Sequence, residues 1–140
     1  MSKVAVVYWS STGNTQAMAE AVGAGAKEKG AEVALIEAGK FNADQAADYT
    51  GIAFGCPAMG DEILEEDEFE PMFTSVEGSL AGKKIALFGS YGWGGGQWMR
   101  DWEERCRNAG ITLAIDSVIA NEAPDDDAIA ACKALGAEIV

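Results

Sequence analysis

The sequence predicts an α/β domain, a doubly wound five-stranded parallel sheet with helices on both faces. Three observations carry this expectation. Short β-rich runs alternate with helical patterns from end to end. The runs are apolar on consecutive residues, as in Ile85-Ala86-Leu87-Phe88, which suits strands buried on both faces. No linker, repeat or low-complexity stretch interrupts the 140 residues, so one domain spanning 1–140 is expected.

Taken in order, the periodicity predicts a strand over 3–9 and a helix over 13–29, stopped by Gly30 after a polar, basic end. A strand over 32–37, a helix over 43–48, a strand over 51–55 and a helix over 66–76 follow. A strand over 84–90 leads to a helix over 97–109, closed by Gly110. The fifth strand is expected over 112–119, and Pro124 followed by three Asp residues opens a last helix over 125–137. Gly23 and Gly25 inside the first helix cost about 1 kcal/mol each relative to Ala, and close packing on the sheet is the expected compensation. Trp98 and Trp102, spaced i and i+4, suit helix-to-sheet packing.

Composition bounds the function. The formal net charge of −13 argues against nucleic acid and anionic membrane surfaces and favours a basic partner. There is no His, which removes the usual general base and the commonest metal ligand. Cys56, Cys106 and Cys132 are odd in number and widely spaced, with no C-x-x-C pattern, so neither a disulfide framework nor a zinc site is expected. Met1-Ser2-Lys3 leads directly into the first strand without a signal peptide, and a cytoplasmic protein is expected.

Three segments follow strand ends. Ser10-Ser11-Thr12-Gly13-Asn14-Thr15 joins the first strand to a helix N-terminus, where unpaired N–H groups and a partial positive charge favour an anion. It has no Lys, no P-loop pattern and no dinucleotide fingerprint, so a terminal phosphate monoester held by neutral donors fits best. The same residues also suit an ordinary helix cap. The second segment, Cys56-Pro57-Ala58-Met59-Gly60-Asp61-Glu62, offers a soft apolar cover for a flat ring at Met59 and a turn at Gly60. The third, Ser90-Tyr91-Gly92-Trp93-Gly94-Gly95-Gly96, sets Trp93 among glycines with no side chains to pack around it, which suits ligand stacking. In an open α/β sheet such loops converge at the carboxyl ends of the strands. Seven of the ten residues over 61–70 are acidic, so a negative face is expected beside this site.

These segments, S-S-T-G-N-T after V-V-Y-W, A-M-G-D-E, and A-L-F-G-S-Y-G-W-G, closely resemble the short-chain flavodoxins of anaerobic bacteria, over nearly the whole chain. The resemblance implies a flavodoxin-like fold with strand order 2-1-3-4-5 and bound FMN; flavodoxin is itself a standard instance of ligand binding at the sheet's switch point. It implies that Ser10, Ser11, Thr12, Gly13, Asn14 and Thr15 hold the FMN phosphate. Met59, Gly60, Asp61 and Glu62 would line one side of the isoalloxazine, with Glu62 accepting from the ring N3–H, and Trp93 would stack on the other. Backbone N–H groups near Gly92 and Trp93 would face the pyrimidine oxygen, Ser90 and Tyr91 would lie beside the ribityl and phosphate, and Ala58 and Gly94 complete the cofactor-binding set. Ser11 departs from the Gly common in the family, and Gly95 from a polar residue. The implied function is a monomeric, low-potential one-electron carrier, not an enzyme, shuttling between semiquinone and hydroquinone. Its expected partners are basic-surfaced redox proteins of the ferredoxin-oxidoreductase type. An FMN-dependent quinone or disulfide reductase is the enzymatic alternative. A phosphorylated receiver domain is excluded, because Tyr8-Trp9 and Gly55-Cys56 stand where it needs acidic residues.

Overall fold

The computed structural model describes residues 2–140, so the sequence reading at Met1 lies outside the described residues. The strands are β1 (Lys3–Tyr8), β2 (Glu32–Glu37), β3 (Gly51–Gly55), β4 (Lys84–Tyr91) and β5 (Val118–Asn121). The helices are α1 (Asn14–Glu28), α2 (Ala43–Ala46), α3 (Phe69–Val76), α4 (Gln97–Asn108) and α5 (Asp126–Glu138). The sheet has the order β2-β1-β3-β4-β5, and every pair is parallel.

Strand side chains alternate between two cores. Val4, Val6, Ala53, Ala86 and Phe88 pack with Met18 and Val22 of α1 and Leu135 of α5. Their neighbours Ala5, Val7, Ile52, Phe54, Ile85 and Leu87 pack with Phe69 and Phe73 of α3 and Trp98 and Trp102 of α4. Each large apolar side chain so buried contributes about 1.5–3 kcal/mol, and it is this burial that holds helices as short as the eight residues of α3, which would be marginal alone. On the second face Trp102 stands edge-on to Phe69 and Phe73, with ring centroids 5.3 and 5.7 Å away. Both tryptophans are buried, as their spacing predicts.

Arg105 of α4 ties this face together. Its guanidinium lies 5.0 Å from the centre of the Phe73 ring and pairs with Glu70 of α3 at 2.7 Å and with Glu77, just beyond α3, at 3.1 Å. Burial alone would raise the Glu70 carboxyl, but hydrogen bonds from Arg105 and Thr74 and the Arg105 charge hold it below the usual range.

The structure corrects several expectations. The pairing of β5 with β4 begins only at Val118, after an isolated bridge between Ile85 and Leu113. Between them the chain leaves the sheet, and Ser117 donates its hydroxyl to Glu103 of α4 at 2.8 Å. Helix α3 starts at Phe69 rather than 66, because the Glu65 carboxylate takes up the N–H groups of Asp67, Glu68 and Phe69 in a turn ahead of it. Helix α2 stops at Ala46. Gly23 does face the sheet, at Val33 and Leu35 of β2, but Gly25 faces the backbone of Lys133 in α5, and Gly136 of α5 faces the backbone of Val22. The two helices on this side therefore approach through glycine.

That difference generates a pair of expected outcomes. A Cβ at position 25 would collide with the Lys133 carbonyl, which cannot move independently of α5, so Gly25→Ala should lower stability by about 1–3 kcal/mol despite the helix propensity gained. At position 23 the nearest atom is the tip of the exposed Leu35 side chain, 3.3 Å away, so Gly23→Ala should be neutral or stabilising by up to about 1 kcal/mol. Urea unfolding of the two variants checks this.

Arg105→Leu keeps the apolar stem but strands two carboxylates. At pH 7 it should cost about 1–3 kcal/mol. Because the folded Glu70 carboxyl is depressed, its contribution is present above its unfolded value of about 4.3 and is lost as pH falls through the folded value. The gap between wild type and variant should therefore narrow below about pH 4, measured by unfolding across that range.

Candidate functional site

Parallel strands deliver their following loops to one edge, and β1 and β3 are neighbours whose chains continue in opposite directions along the sheet. The three predicted loops meet at this switch point. Loop 1 leaves β1 with the Trp9 N–H on the Gly55 carbonyl at 3.0 Å. Ser10 Oγ then accepts the Gly13 N–H at 3.1 Å, and Thr12 Oγ1 accepts the Asn14 N–H at 3.4 Å. Gly13 has φ 96°, which turns the chain sharply into α1, whose first turn carries no acidic residue. The helix N-terminus thus keeps its partial positive charge beside the exposed Ser11, Thr12 and Gly13.

Thr15 and Ser90 lie deeper. Both are buried; their hydroxyls are 3.2 Å apart, and the Ser90 N–H donates to Thr15 Oγ1 at 3.4 Å. They join loop 1 to loop 3 beneath the surface formed by residues 10–14. Tyr91 is half-buried, and Gly92, Trp93, Gly94 and Gly95 are exposed. Trp93 shows 54% of its surface and donates its indole N–H to the Gly60 carbonyl at 3.1 Å. The expectation that Trp93 stays out of the core therefore holds.

Loop 2 is pinned at both ends. The Cys56 carbonyl accepts the Trp98 indole N–H at 3.1 Å, and Ala58, itself buried, donates its N–H to the Ser90 carbonyl at 3.1 Å. Met59 and Ile63 exchange two backbone hydrogen bonds of 2.9 Å, closing a small hairpin with Gly60 at φ 48° and Glu62 at φ 58°. A non-glycine residue in that region costs on the order of 1–2 kcal/mol. Glu62 is held there by its carboxylate, which accepts the Gln97 N–H at 2.9 Å at the start of α4, a favourable place for negative charge. Asp61 is exposed and Met59 half-buried.

The acidic run is less uniform than its sequence. Glu65 is 6% exposed and caps α3, Glu70 is paired with Arg105, and Glu62 sits on α4. Glu68 accepts the Trp9 indole N–H at 3.2 Å, linking loop 1 to the start of α3. This leaves Asp61, Glu66, Asp67 and Glu68 as exposed carboxylates without an ion pair among the described residues. Sequence reasoning missed the buried Glu65, the Glu68–Trp9 link and the role of Cys56; a Glu four residues ahead of an apolar helix start was the one local signal.

Among the described residues no group of His, Cys, Asp or Glu is arranged to hold a metal ion, and no helix is long and apolar enough to cross a membrane. The three cysteines are buried free thiols. Burial pushes the Cys106 and Cys132 thiols up to about 12 and moves Cys56 in the same direction, so none is poised as a nucleophile.

Comparison with known proteins agrees with this geometry. Residues 6–136 match the family described as Flavodoxin. The chain is 47% identical over 133 residues to the flavodoxin of Megasphaera elsdenii, covering 95% of each chain. To that of Clostridium beijerinckii it is 46% identical over 121 residues, covering 86% of this chain and 88% of the relative. The solution structure of two-electron reduced Megasphaera elsdenii flavodoxin superposes with a TM-score of 0.89 at 46% identity, covering 97% of each chain. With its sheet order, its three convergent loops and these relatives in agreement, the chain belongs to the flavodoxin family.

Proposed function

We propose that this flavodoxin is a low-potential one-electron carrier that passes electrons between redox proteins through bound FMN, without a substrate of its own. The observation that carries the reading is the meeting of three loops at the β1–β3 switch point. A hydroxyl-rich helix N-terminus lies at one end, and the exposed Trp93 faces Gly60 at the other. The donor set fits the cofactor: neutral hydroxyls and N–H groups suit a phosphate monoester, and Gly92 and Gly95 of loop 3 have open space around them, so a flat ring could approach their backbone.

In this reading Ser10, Ser11, Thr12, Gly13, Asn14 and Thr15 hold the phosphate, with Thr15 acting from below through its pairing with Ser90. Ala58, Met59, Gly60, Asp61 and Glu62 would flank the isoalloxazine on one side and Trp93 on the other, the Trp93–Gly60 hydrogen bond opening to admit the ring. Tyr91, Gly92 and Gly94 complete the wall. Glu62 has a second carboxylate oxygen beyond the one on Gln97, which would be available to accept from the ring N3–H. FMN, when bound, supplies the one-electron couple between semiquinone and hydroquinone. The Gly60 carbonyl, which accepts the Trp93 indole N–H at 3.1 Å from a left-handed residue, would be the acceptor offered to the ring N5 if that peptide turned. We place the protein in the cytoplasm as a monomer, with basic-surfaced oxidoreductases as partners.

The purified protein should be yellow and turn blue on partial reduction; a colourless protein that cannot be reconstituted with FMN would end this reading. In a fluorescence titration of the apoprotein, Trp93→Ala should weaken FMN binding by roughly 0.5–1.5 kcal/mol beyond the contact area lost. Unchanged affinity would place Trp93 outside the ring contact.

The exposed carboxylates should also set the potential. Each one within about a Debye length of the ring opposes a second electron by a few tenths of a kcal/mol. Neutralising Glu66, Asp67 and Glu68 together should therefore raise the lower potential by about 40 mV and flatten the salt dependence of electron transfer to a basic partner. Glu65 does not belong in that set, because its carboxylate is buried on α3. Spectroelectrochemical titration and stopped-flow rates at several salt concentrations check this outcome.

A further inference from the structure

We infer that Glu65 is a positioning residue for loop 2, holding fixed the frame within which the Gly60 peptide turns. This deepens the FMN reading above and rests on it. The sequence presents Glu65 as one acid among seven, but the fold uses it differently. One carboxylate oxygen accepts the N–H groups of Glu68 and Phe69, and the other accepts that of Asp67, all at 2.8 Å. Those are donors that the start of a helix leaves without partners, so the charge is met by N–H groups and the α3 dipole instead of by solvent. The Glu65 carbonyl accepts the Glu70 N–H at 2.8 Å. Its own N–H donates to Cys56 Sγ at 3.4 Å.

This last contact closes a ring in the chain. Cys56 is the first residue after β3 and is itself fixed, its N–H on the Phe88 carbonyl at 3.2 Å and its carbonyl on the Trp98 indole. Entry and exit of the loop are thus tied to each other and to α3, and the Met59–Ile63 pairing sits just inside that tie. Within it lie the two left-handed residues Gly60 and Glu62. A peptide can turn on an unchanged frame only if the frame does not relax with it. Without the tie, part of the free energy of the new Gly60 hydrogen bond is lost to reordering the loop.

The test compares FMN-loaded variants by the equilibrium constant for the one-electron reduced form, read from the separation of the two potentials. Amide hydrogen exchange over 59–63 in the apoprotein is read alongside. Glu65→Ala should lower that constant about tenfold, a 59 mV narrowing, and speed exchange over 59–63. Glu65→Gln, which removes the same charge but keeps an acceptor oxygen, should lower the constant less, by about threefold. Glu66→Gln, at an exposed position, should lower the constant by less than about twofold, its share of the surface-charge effect, and leave the exchange unchanged. Should Glu65→Ala not fold, Cys56→Ala removes the acceptor for the Glu65 N–H and should narrow the separation, with Cys56→Ser restoring it. Equal effects of Glu65→Gln and Glu66→Gln would overturn the inference, returning Glu65 to a surface charge, as would an unchanged separation in the Cys56→Ala protein. Wild-type protein that binds no FMN would instead refute the cofactor reading.

Discussion

Because all five strands run parallel, every strand-to-helix loop leaves the sheet on the same edge, and three of those loops must be fixed against one another by groups outside the ladder. The contacts that do so are few and buried. Thr15 meets Ser90, Ala58 meets the Ser90 carbonyl, and Trp98 meets the Cys56 carbonyl. A buried polar group without a partner costs about 1–3 kcal/mol, so each contact excludes arrangements in which the loops drift apart. Ser90 takes part in two of them and is the point at which all three loops are joined.

The two faces of the sheet solve different packing problems. On the α1–α5 side, small residues on the strands and glycines on the helices let backbone approach backbone, with Ala53, Ala86, Gly25 and Gly136 at the contacts. The α3–α4 side is filled by Phe54, Phe69, Phe73, Trp98 and Trp102. The aromatic side carries loop 2 and the start of α4, where Trp98 reaches from the core to the loop backbone. Rigid rings with few rotamers lose little entropy on burial, which suits the side that must hold strained turns in place.

Charge is distributed by the same logic. An anionic cofactor beside a chain of net charge −13 needs local compensation, and in the proposed reading helix N-termini would supply it, because loop 1 carries no basic side chain. The start of α1 is left free of acids beside loop 1, whereas the starts of α3 and α4 are taken by Glu65 and Glu62. Carboxylates are thereby gathered at loop 2 and the start of α3 and kept away from loop 1. In the proposed FMN reading, that separation would favour phosphate binding at loop 1 and disfavour extra electrons on the ring.

The amino-acid sequence by itself determined the elements, the parallel sheet class, the loops that face one another and the exposure of Trp93. These follow from local rules: apolar runs mark buried strands, and an indole flanked by glycines has nothing to pack against. Gly30 and Gly110 likewise end their helices at φ 87° and 79°, because a left-handed residue is a local demand. Only the tertiary structure decided that β5 pairs late, that Gly25 serves a second helix, and which acids face solvent. A carboxylate looks the same in sequence whether water or a helix N-terminus surrounds it. Its role depends on partners brought close by the fold, as when Thr15 meets Ser90 across 75 residues, a separation that no local pattern encodes.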